Sequence, residues 1–374
     1  QARPAAFAIH AHDAPADPRA ALDPQLAAQR AAILRAPFPS WDARARHLRA
    51  LRDVLFSNRD ALAEAMNADF GQRSKAEVAL AEFVVLKQEI DAALRHGARW
   101  MKPRRRPVGK WLLPGRAKLV PQPLGVAGIV VPWNYPLQLA ASPLVCALAA
   151  GNRAMIKMSE LTPRTSALFA ELIGKTFARD HVAVVNGDAS VGAAFSALPF
   201  DHLLFTGSTR VGHEVMRAAA ANLTPVTLEL GGSSPQSVFA DADFDAALPV
   251  LVAAIVQNAG QTCSAGSRVL IERNAYEPLI DRLAASFGKL RVGPASADLD
   301  CGPLINEKQR QRVRAFLDEA AASRIATAAS GTLEADAPSG GFYEVPTLLR
   351  DVPPQSRLAQ EEEFGPVLAA MPFE

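Results

Sequence analysis

The 374-residue sequence predicts an α/β protein built on two parallel sheets. Three observations predict it. A block of helical periodicity comes first. Short β-rich apolar runs then alternate with helical segments. Glycine turns sit where several of those runs end. Such alternation gives parallel strands with helices on both faces. With 49% hydrophobic residues, the chain can build a large core, and its length suits two domains.

The first element is an arm. Residues 1–22 lack a continuous apolar stretch, so they read as a loose segment without a secretory signal. The absent initiator Met suggests processing or an artificial boundary. Helices are expected from residue 23 to 99, where Leu51, Val54 and Leu55, and then Phe83, Leu86 and Ile90, recur at helical spacing. Residues 103–123 are rich in Pro, Gly and basic side chains and carry apolar patches at Trp111–Leu113 and Leu119–Val120. They read as an extended ribbon leaving the helices. Strands are then expected at 125–131, 154–157, 182–185, 202–205 and 226–230, with helices at 137–150, 165–177, 191–197 and 209–219. The boundary falls at Gly231-Gly232-Ser233-Ser234. A second unit comes after it: helix 244–258, strand 268–271, helices 275–287 and 307–322, and a core strand at 367–371. The domains are thus 23–231, carrying the ribbon, and 232–374. There is no internal repeat.

Composition excludes several classes. A net charge of +2 argues neither for nor against nucleic acid, and none is expected as a partner. The cluster Lys102, Arg104, Arg105, Arg106 and Lys110 is broken by Pro103 and Pro107, so it offers no helical basic face. Cys146, Cys263 and Cys301 lie far apart without CxxC spacing, which argues against a disulfide framework or zinc site and for a reducing, cytoplasmic setting. No metal is expected. Residues 119–152 hold no charged side chain, a length that can span a bilayer. Pro132, Pro136 and Pro143, with Trp133-Asn134-Tyr135 between them, favour a buried strand, a polar turn and a buried helix instead.

Five segments carry chemistry. Gly260-Gln261-Thr262-Cys263-Ser264 can present a thiolate at a turn; a lone Cys also serves as a small buried hydrophobe. Leu228-Glu229-Leu230-Gly231-Gly232 sets a carboxylate at an apolar strand end, where raised pKa suits a general base; a solvent-facing Glu is the alternative. Pro132-Trp133-Asn134-Tyr135-Pro136 lies at the end of a strand, and the Asn134 amide can donate to a developing oxyanion or merely form a turn. Phe205-Thr206-Gly207-Ser208-Thr209-Arg210-Val211-Gly212 is strand, glycine turn and helix start, suited to a phosphate, although it is not GxGxxG. Lys157-Met158-Ser159-Glu160 can bracket ribose hydroxyls or form a surface ion pair.

Together with Glu361-Glu362-Glu363-Phe364-Gly365-Pro366-Val367, these motifs in this order closely resemble the aldehyde dehydrogenase superfamily, from about residue 25 to the end. WMKPRR, LPFDHLLFTGST and NLTPVTLELGG are most similar to the bacterial coniferyl aldehyde dehydrogenases of the class 3 branch. The resemblance implies an aldehyde dehydrogenase-like fold: two doubly wound parallel-sheet domains and an oligomerisation ribbon. It implies Cys263 as nucleophile, Glu229 as base, and Asn134 with the Cys263 N–H as oxyanion hole. Lys157 and Glu160 would bind the adenosine ribose and Ser208 the pyrophosphate, with Trp133, Gly207 and Gly212 on the same cofactor side. Glu362 would hold the nicotinamide ribose, with Phe364 beside the ring. The cofactor would be NAD, with NADP tolerated. Tyr135, Gln138, Leu139 and Ser142 come after Asn134 at helical spacing, so they line the aldehyde path or pack the domain.

The sequence departs from the family pattern at Ser233-Ser234, at Ala265-Gly266-Ser267-Arg268 and at Met158. None of these removes a catalytic group. Three rival readings remain: an aliphatic aldehyde dehydrogenase, an acylating enzyme that needs no base, and an impaired member kept as a binding protein. In class 3 relatives roughly a further fifth of the chain lies beyond the E-x-F-G-P motif. The strand at 367–371 is therefore expected to leave an exposed sheet edge. A chain of this length is expected to dimerise poorly, aggregate and turn over weakly, whereas the longer form would be a homodimer.

Overall fold

The computed structural model describes residues 17–71, 73–297 and 299–374. They form two compact units. One holds the described residues up to Ala65 with Ala79–Glu229; the other holds Met66–Val78 with Leu230–Glu374.

The helical block comprises α1 (Arg19–Arg35), α2 (Trp41–Ser57), α3 (Arg59–Phe70), the short α4 (Lys75–Glu77), a π-helical stretch at Val78–Val84, and α5 (Val85–Trp100). Residues 1–16 of the expected arm lie outside the described residues, and α1 opens four residues before the expected start at Asp23. The Ser40 hydroxyl accepts the Ala43 N–H and starts α2. Leu48, Leu51 and Leu55 form its fully buried stripe. Buried side chains tie these helices to the first sheet and its covering helix: Gln29 donates to the Ala154 carbonyl at 2.9 Å and Arg44 to the Ala149 carbonyl at 3.1 Å.

The ribbon is a two-stranded antiparallel hairpin of β1 (Arg104–Arg106) and β2 (Ala117–Leu119). Trp111, 89% exposed, stands between them. The alternation then runs β3 (Val126–Val130), α6 (Gln138–Ala150), β4 (Arg153–Lys157), α7 (Pro163–Thr176), β5 (Val182–Val185), α8 (Ala189–Ser196), β6 (His202–Gly207), α9 (Thr209–Ala220) and β7 (Val226–Leu230). The uncharged stretch thus resolves mainly into β3 and α6. Among the described residues no helix is long and apolar enough to cross a membrane. The sheet order is β5-β4-β3-β6-β7, and β3 runs parallel to both β4 and β6. The chain therefore starts mid-sheet, builds outward to β5, and returns to the other side of β3. Ligands in open α/β sheets collect at such a reversal, outside the strand carboxyl ends.

The second unit comprises β8 (Pro235–Val238), α10 (Phe244–Val256), β9 (Arg268–Glu272), α11 (Arg273–Phe287), β10 (Arg291–Val292), α12 (Glu307–Ala322), β11 (Ala326–Ser330), β12 (Thr332–Leu333), β13 (Thr347–Arg350), α13 (Arg357–Gln360) and β14 (Val367–Phe373). Its main sheet is ordered β11-β13-β14-β9-β8. It is not wholly parallel, because β11 runs antiparallel to β13. The core strand expected at 367–371 is β14, which pairs with β13 on one side and β9 on the other, and the edges are β11 and β8. Strand alternation splits the core in two: Leu368 and Ala370 face a cluster with Leu279, Leu283 and Phe287, while Val367, Ala369 and Met371 face Val313 and Phe316.

Candidate active site

The first unit gathers three motifs at one sheet end. Val130 pairs in register with Lys157 on one side and Phe205 on the other. PWNYP, KMSE and FTGST therefore leave neighbouring strands side by side, at the point where the strand order reverses.

Lys157 is 3% exposed. Its Nζ donates to the Met158 carbonyl at 2.7 Å and lies 3.6 Å from the half-exposed Glu160 carboxylate. Burial lowers its pKa, against the pull of Glu160 and Asp188. Ser208 caps α9: its Oγ accepts the Val211 N–H, so the hydroxyl proton stays available to an anion at the helix start. A Cβ on Gly207 would meet the Phe205 ring at 2.6 Å, which explains a glycine in this turn. Gly212 is buried within α9, and its N–H donates to the Ser208 carbonyl at 2.9 Å.

Asn134 and Tyr135 are buried in the turn before α6, with Trp133 and Leu139 partly so. Gln138 and Ser142 are not bare lining residues. Gln138 Nε2 donates to Ser142 Oγ, which donates to the Glu89 carboxylate. Glu229 differs from expectation: its side chain is exposed rather than enclosed by apolar groups.

The second unit presents Cys263. After α10 the backbone takes three successive positive φ values, Asn258 at 49°, Ala259 at 52° and Gly260 at 72°. Glycine adopts this region freely, whereas Ala pays about 1 kcal/mol. Buried groups hold the turn. Gln261, fully buried, donates to the Asn258 carbonyl at 2.8 Å and accepts the Ile305 N–H at 2.9 Å. The Asn258 amide donates back to the Gln261 carbonyl at 3.2 Å. The Glu77 carboxylate accepts the Asn258 backbone N–H. Cys263 emerges exposed just beyond this brace. The other two thiols are both held toward the protonated form. Burial pushes Cys301 up to about 12, with Glu77 and Asp300 adding to it. Desolvation and then the Glu89 charge raise Cys146.

The E-x-F-G-P loop packs on the same turn. A Cβ on Gly260 would fall 2.1 Å from the Gly365 carbonyl oxygen, so only glycine permits this approach. From α12, Arg312 donates to the Glu362 carbonyl at 2.6 Å and Gln309 to the Phe364 carbonyl at 2.8 Å. The Glu362 carboxylate accepts the Gly232 N–H at 3.3 Å, and a Cβ on Gly231 would collide with it. Burial lifts Glu362 to about 7, against Gly232 and Arg312. Glu363 is fully buried, and neither carboxyl oxygen has a hydrogen-bond partner. Burial lifts it to about 8. The Glu362 charge adds to this, while its own backbone N–H, Arg312 and Arg268 oppose it.

Sequence reasoning missed the supporting groups. Gln261 lay inside a recognised motif but was given no role. Glu77, Gln309 and Arg312 look like surface residues of polar helices, and no local pattern marks them.

A profile of the aldehyde dehydrogenase family matches residues 13–374. "Probable coniferyl aldehyde dehydrogenase" of Pseudomonas aeruginosa is 45% identical over 358 residues, covering 94% of this chain and 73% of that protein. "Coniferyl aldehyde dehydrogenase" of a Pseudomonas species is 41% identical, covering 84% of this chain and 65% of its own length. Among solved structures, a Mycobacterium tuberculosis aldehyde dehydrogenase complexed with NAD+ aligns with a TM-score of 0.87 at 32% identity, covering 95% of this chain and 73% of that one.

Proposed function

This chain belongs to the aldehyde dehydrogenase family, and from that premise we propose that it oxidises an aromatic aldehyde of the coniferyl type to its acid with NAD(P)+. The observation that carries the reading is Cys263, exposed beyond a turn braced by buried Gln261 and Asn258.

Each side chain has a role set by its chemistry. The Cys263 thiolate adds to the aldehyde carbon, forming a C–S bond and an alkoxide. The Asn134 amide and the Cys263 N–H donate to that oxygen. A nicotinamide held on this side would supply the hydride acceptor, and loss of hydride from the alkoxide carbon would leave a thioester on Cys263. Glu229, solvent-facing on β7, takes a proton from water; the resulting hydroxide adds to the thioester and expels the thiolate with the acid. An acylating alternative would need no such base, so Glu229 favours hydrolysis. The residues present fit a dinucleotide: a capped helix start at Ser208, and Lys157 with Glu160 beside it on a strand of the same sheet. Trp133 and Gly207 belong to that side, and Glu362 and Phe364 to the nicotinamide ribose and ring. The proposal extends to a cytoplasmic protein, in keeping with its free cysteines, whose longer form is a homodimer, with the exposed Trp111 on the ribbon as an oligomerisation contact.

Glu160 sets the cofactor preference. A carboxylate accepts hydrogen bonds from free ribose hydroxyls and repels a 2′-phosphate. The kcat/KM with NAD should exceed that with NADP by about tenfold or more, and Glu160→Gln should narrow the gap. A clear NADP preference would refute the assignment. A panel of aliphatic and cinnamyl aldehydes, run with each cofactor, tests the substrate class; equal activity on acetaldehyde and coniferyl aldehyde would count against it.

A further inference from the structure

Helix α6 carries a polar stripe that the chemistry above leaves unused. Gln138, Ser142 and Cys146 fall four residues apart on one face, about 6 Å per step. The opposite face, with Ala140, Ala141, Leu144, Val145 and Leu148, is buried. The stripe starts one turn beyond Asn134 and meets α5. There the hydrogen bonds run one way, from the Gln138 amide to the Ser142 hydroxyl at 3.0 Å and from Ser142 to the Glu89 carboxylate. The Gln138 backbone N–H donates to the fully buried Glu82 at 2.7 Å, which fixes the helix start beside this chain of hydrogen bonds.

Glu89 is the terminus of the relay and an acceptor only. An ionised carboxylate offers about four lone-pair sites. Among the described residues Ser142 is its hydrogen-bond partner, and no cation pairs with it. A half-buried carboxylate with spare acceptor sites can take a further donor, and a hydrogen bond to it from a neutral hydroxyl is charge-assisted, roughly twice as strong as one between neutral groups. Ser142 lies one turn into α6, which opens at Gln138 directly after the turn that carries Asn134. That suits an extended conjugated aldehyde whose carbonyl sits at Asn134 and whose para substituent reaches α5.

We propose that Glu89 is a specificity-determining residue that accepts the hydrogen bond of a free phenolic hydroxyl, with Ser142 and Gln138 holding its carboxylate in place. The ligand class is therefore a 4-hydroxylated aryl aldehyde. A 4-O-methyl ether has no proton to give and sets its oxygen against an anion, so it is disfavoured. This inference rests on the aldehyde-oxidising role assigned to Cys263 and Asn134.

The test measures kcat and KM for 4-hydroxycinnamaldehyde and 4-methoxycinnamaldehyde with the wild type, Glu89→Leu and Glu89→Gln, with melting temperature as the folding control. The wild type should prefer the hydroxylated aldehyde by about tenfold or more in kcat/KM, mainly through KM. Glu89→Leu should bring the ratio close to one. Glu89→Gln keeps the shape and a neutral acceptor, so it should fall between them and decides the matter if the Leu variant is unstable. Raising pH past the phenol's own pKa should erode the wild-type preference, because a phenolate is repelled. A wild-type ratio near one, or a ratio unchanged in Glu89→Gln and Glu89→Leu, overturns the role of Glu89 while leaving aldehyde oxidation standing. Oxidation of neither aldehyde, nor of any aliphatic one, overturns both.

Discussion

Replacing Cys263 with Ser should lower aldehyde oxidation by roughly 10⁴-fold or more. The serine hydroxyl has a pKa far above the working pH, and no His or Lys base is assigned to it, so nucleophilic attack is lost. The braced turn is untouched, because Gln261 and Asn258 hold it through their own hydrogen bonds. Cofactor binding should therefore persist, since the groups assigned to it are Lys157, Glu160 and Ser208. Steady-state rates measured beside a fluorescence titration with NAD check both halves. Near-normal turnover in Cys263→Ser would mean that the nucleophile lies elsewhere.

Glu363 controls the largest expected change in stability. It is buried without hydrogen-bond partners and is lifted from 4.5 to about 8. A carboxyl raised in this way binds its proton more tightly in the folded chain than in the unfolded one. Its contribution to stability is complete below about pH 4.5 and drains away as pH rises toward about 8, by up to about 4 kcal/mol. Glu362, lifted to about 7, adds a smaller decline over the lower part of that window. Glu363→Leu removes the buried ionisable group and keeps its volume. It should flatten the loss between about pH 5 and 8 and raise stability at about pH 8 by about 2–4 kcal/mol. Denaturant melts at several pH values would show this. A Leu variant with an unchanged pH slope would mean that Glu363 finds a partner in solution.

The legibility of each feature in the sequence depended on how locally it is determined. The first sheet was read almost strand for strand, because runs such as Val182–Val185 are apolar, β-branched and bounded by turns. In the second unit, β8 (Pro-Gln-Ser-Val) and β11 (Ala-Thr-Ala-Ala-Ser) were missed. Neither has a β-favouring composition, and both exist because a neighbouring strand offers hydrogen bonds. Pairing partners are likewise not local: 367–371 was legible as a core strand, but not that its neighbours would be β13 and β9. Among site residues, the motif positions were readable because the chemistry demands particular side chains. The brace was not: Glu77 lies almost two hundred residues from Asn258, and nothing in its own helix marks it. The same holds for Glu89, a helical glutamate whose meaning appears only beside Ser142.

The central claim is a thioester on Cys263, and the most direct measurement is to trap it. Glu229→Gln should slow hydrolysis more than acylation, so reduced cofactor should appear in a burst close to one equivalent before a slow steady state. Acid quenching during that phase, with peptide mass analysis afterwards, should find the acyl group on the peptide containing Cys263, and only when aldehyde and cofactor are both present. An acyl group on Cys146 or Cys301 instead, or a full burst with no acylated peptide, would contradict the account.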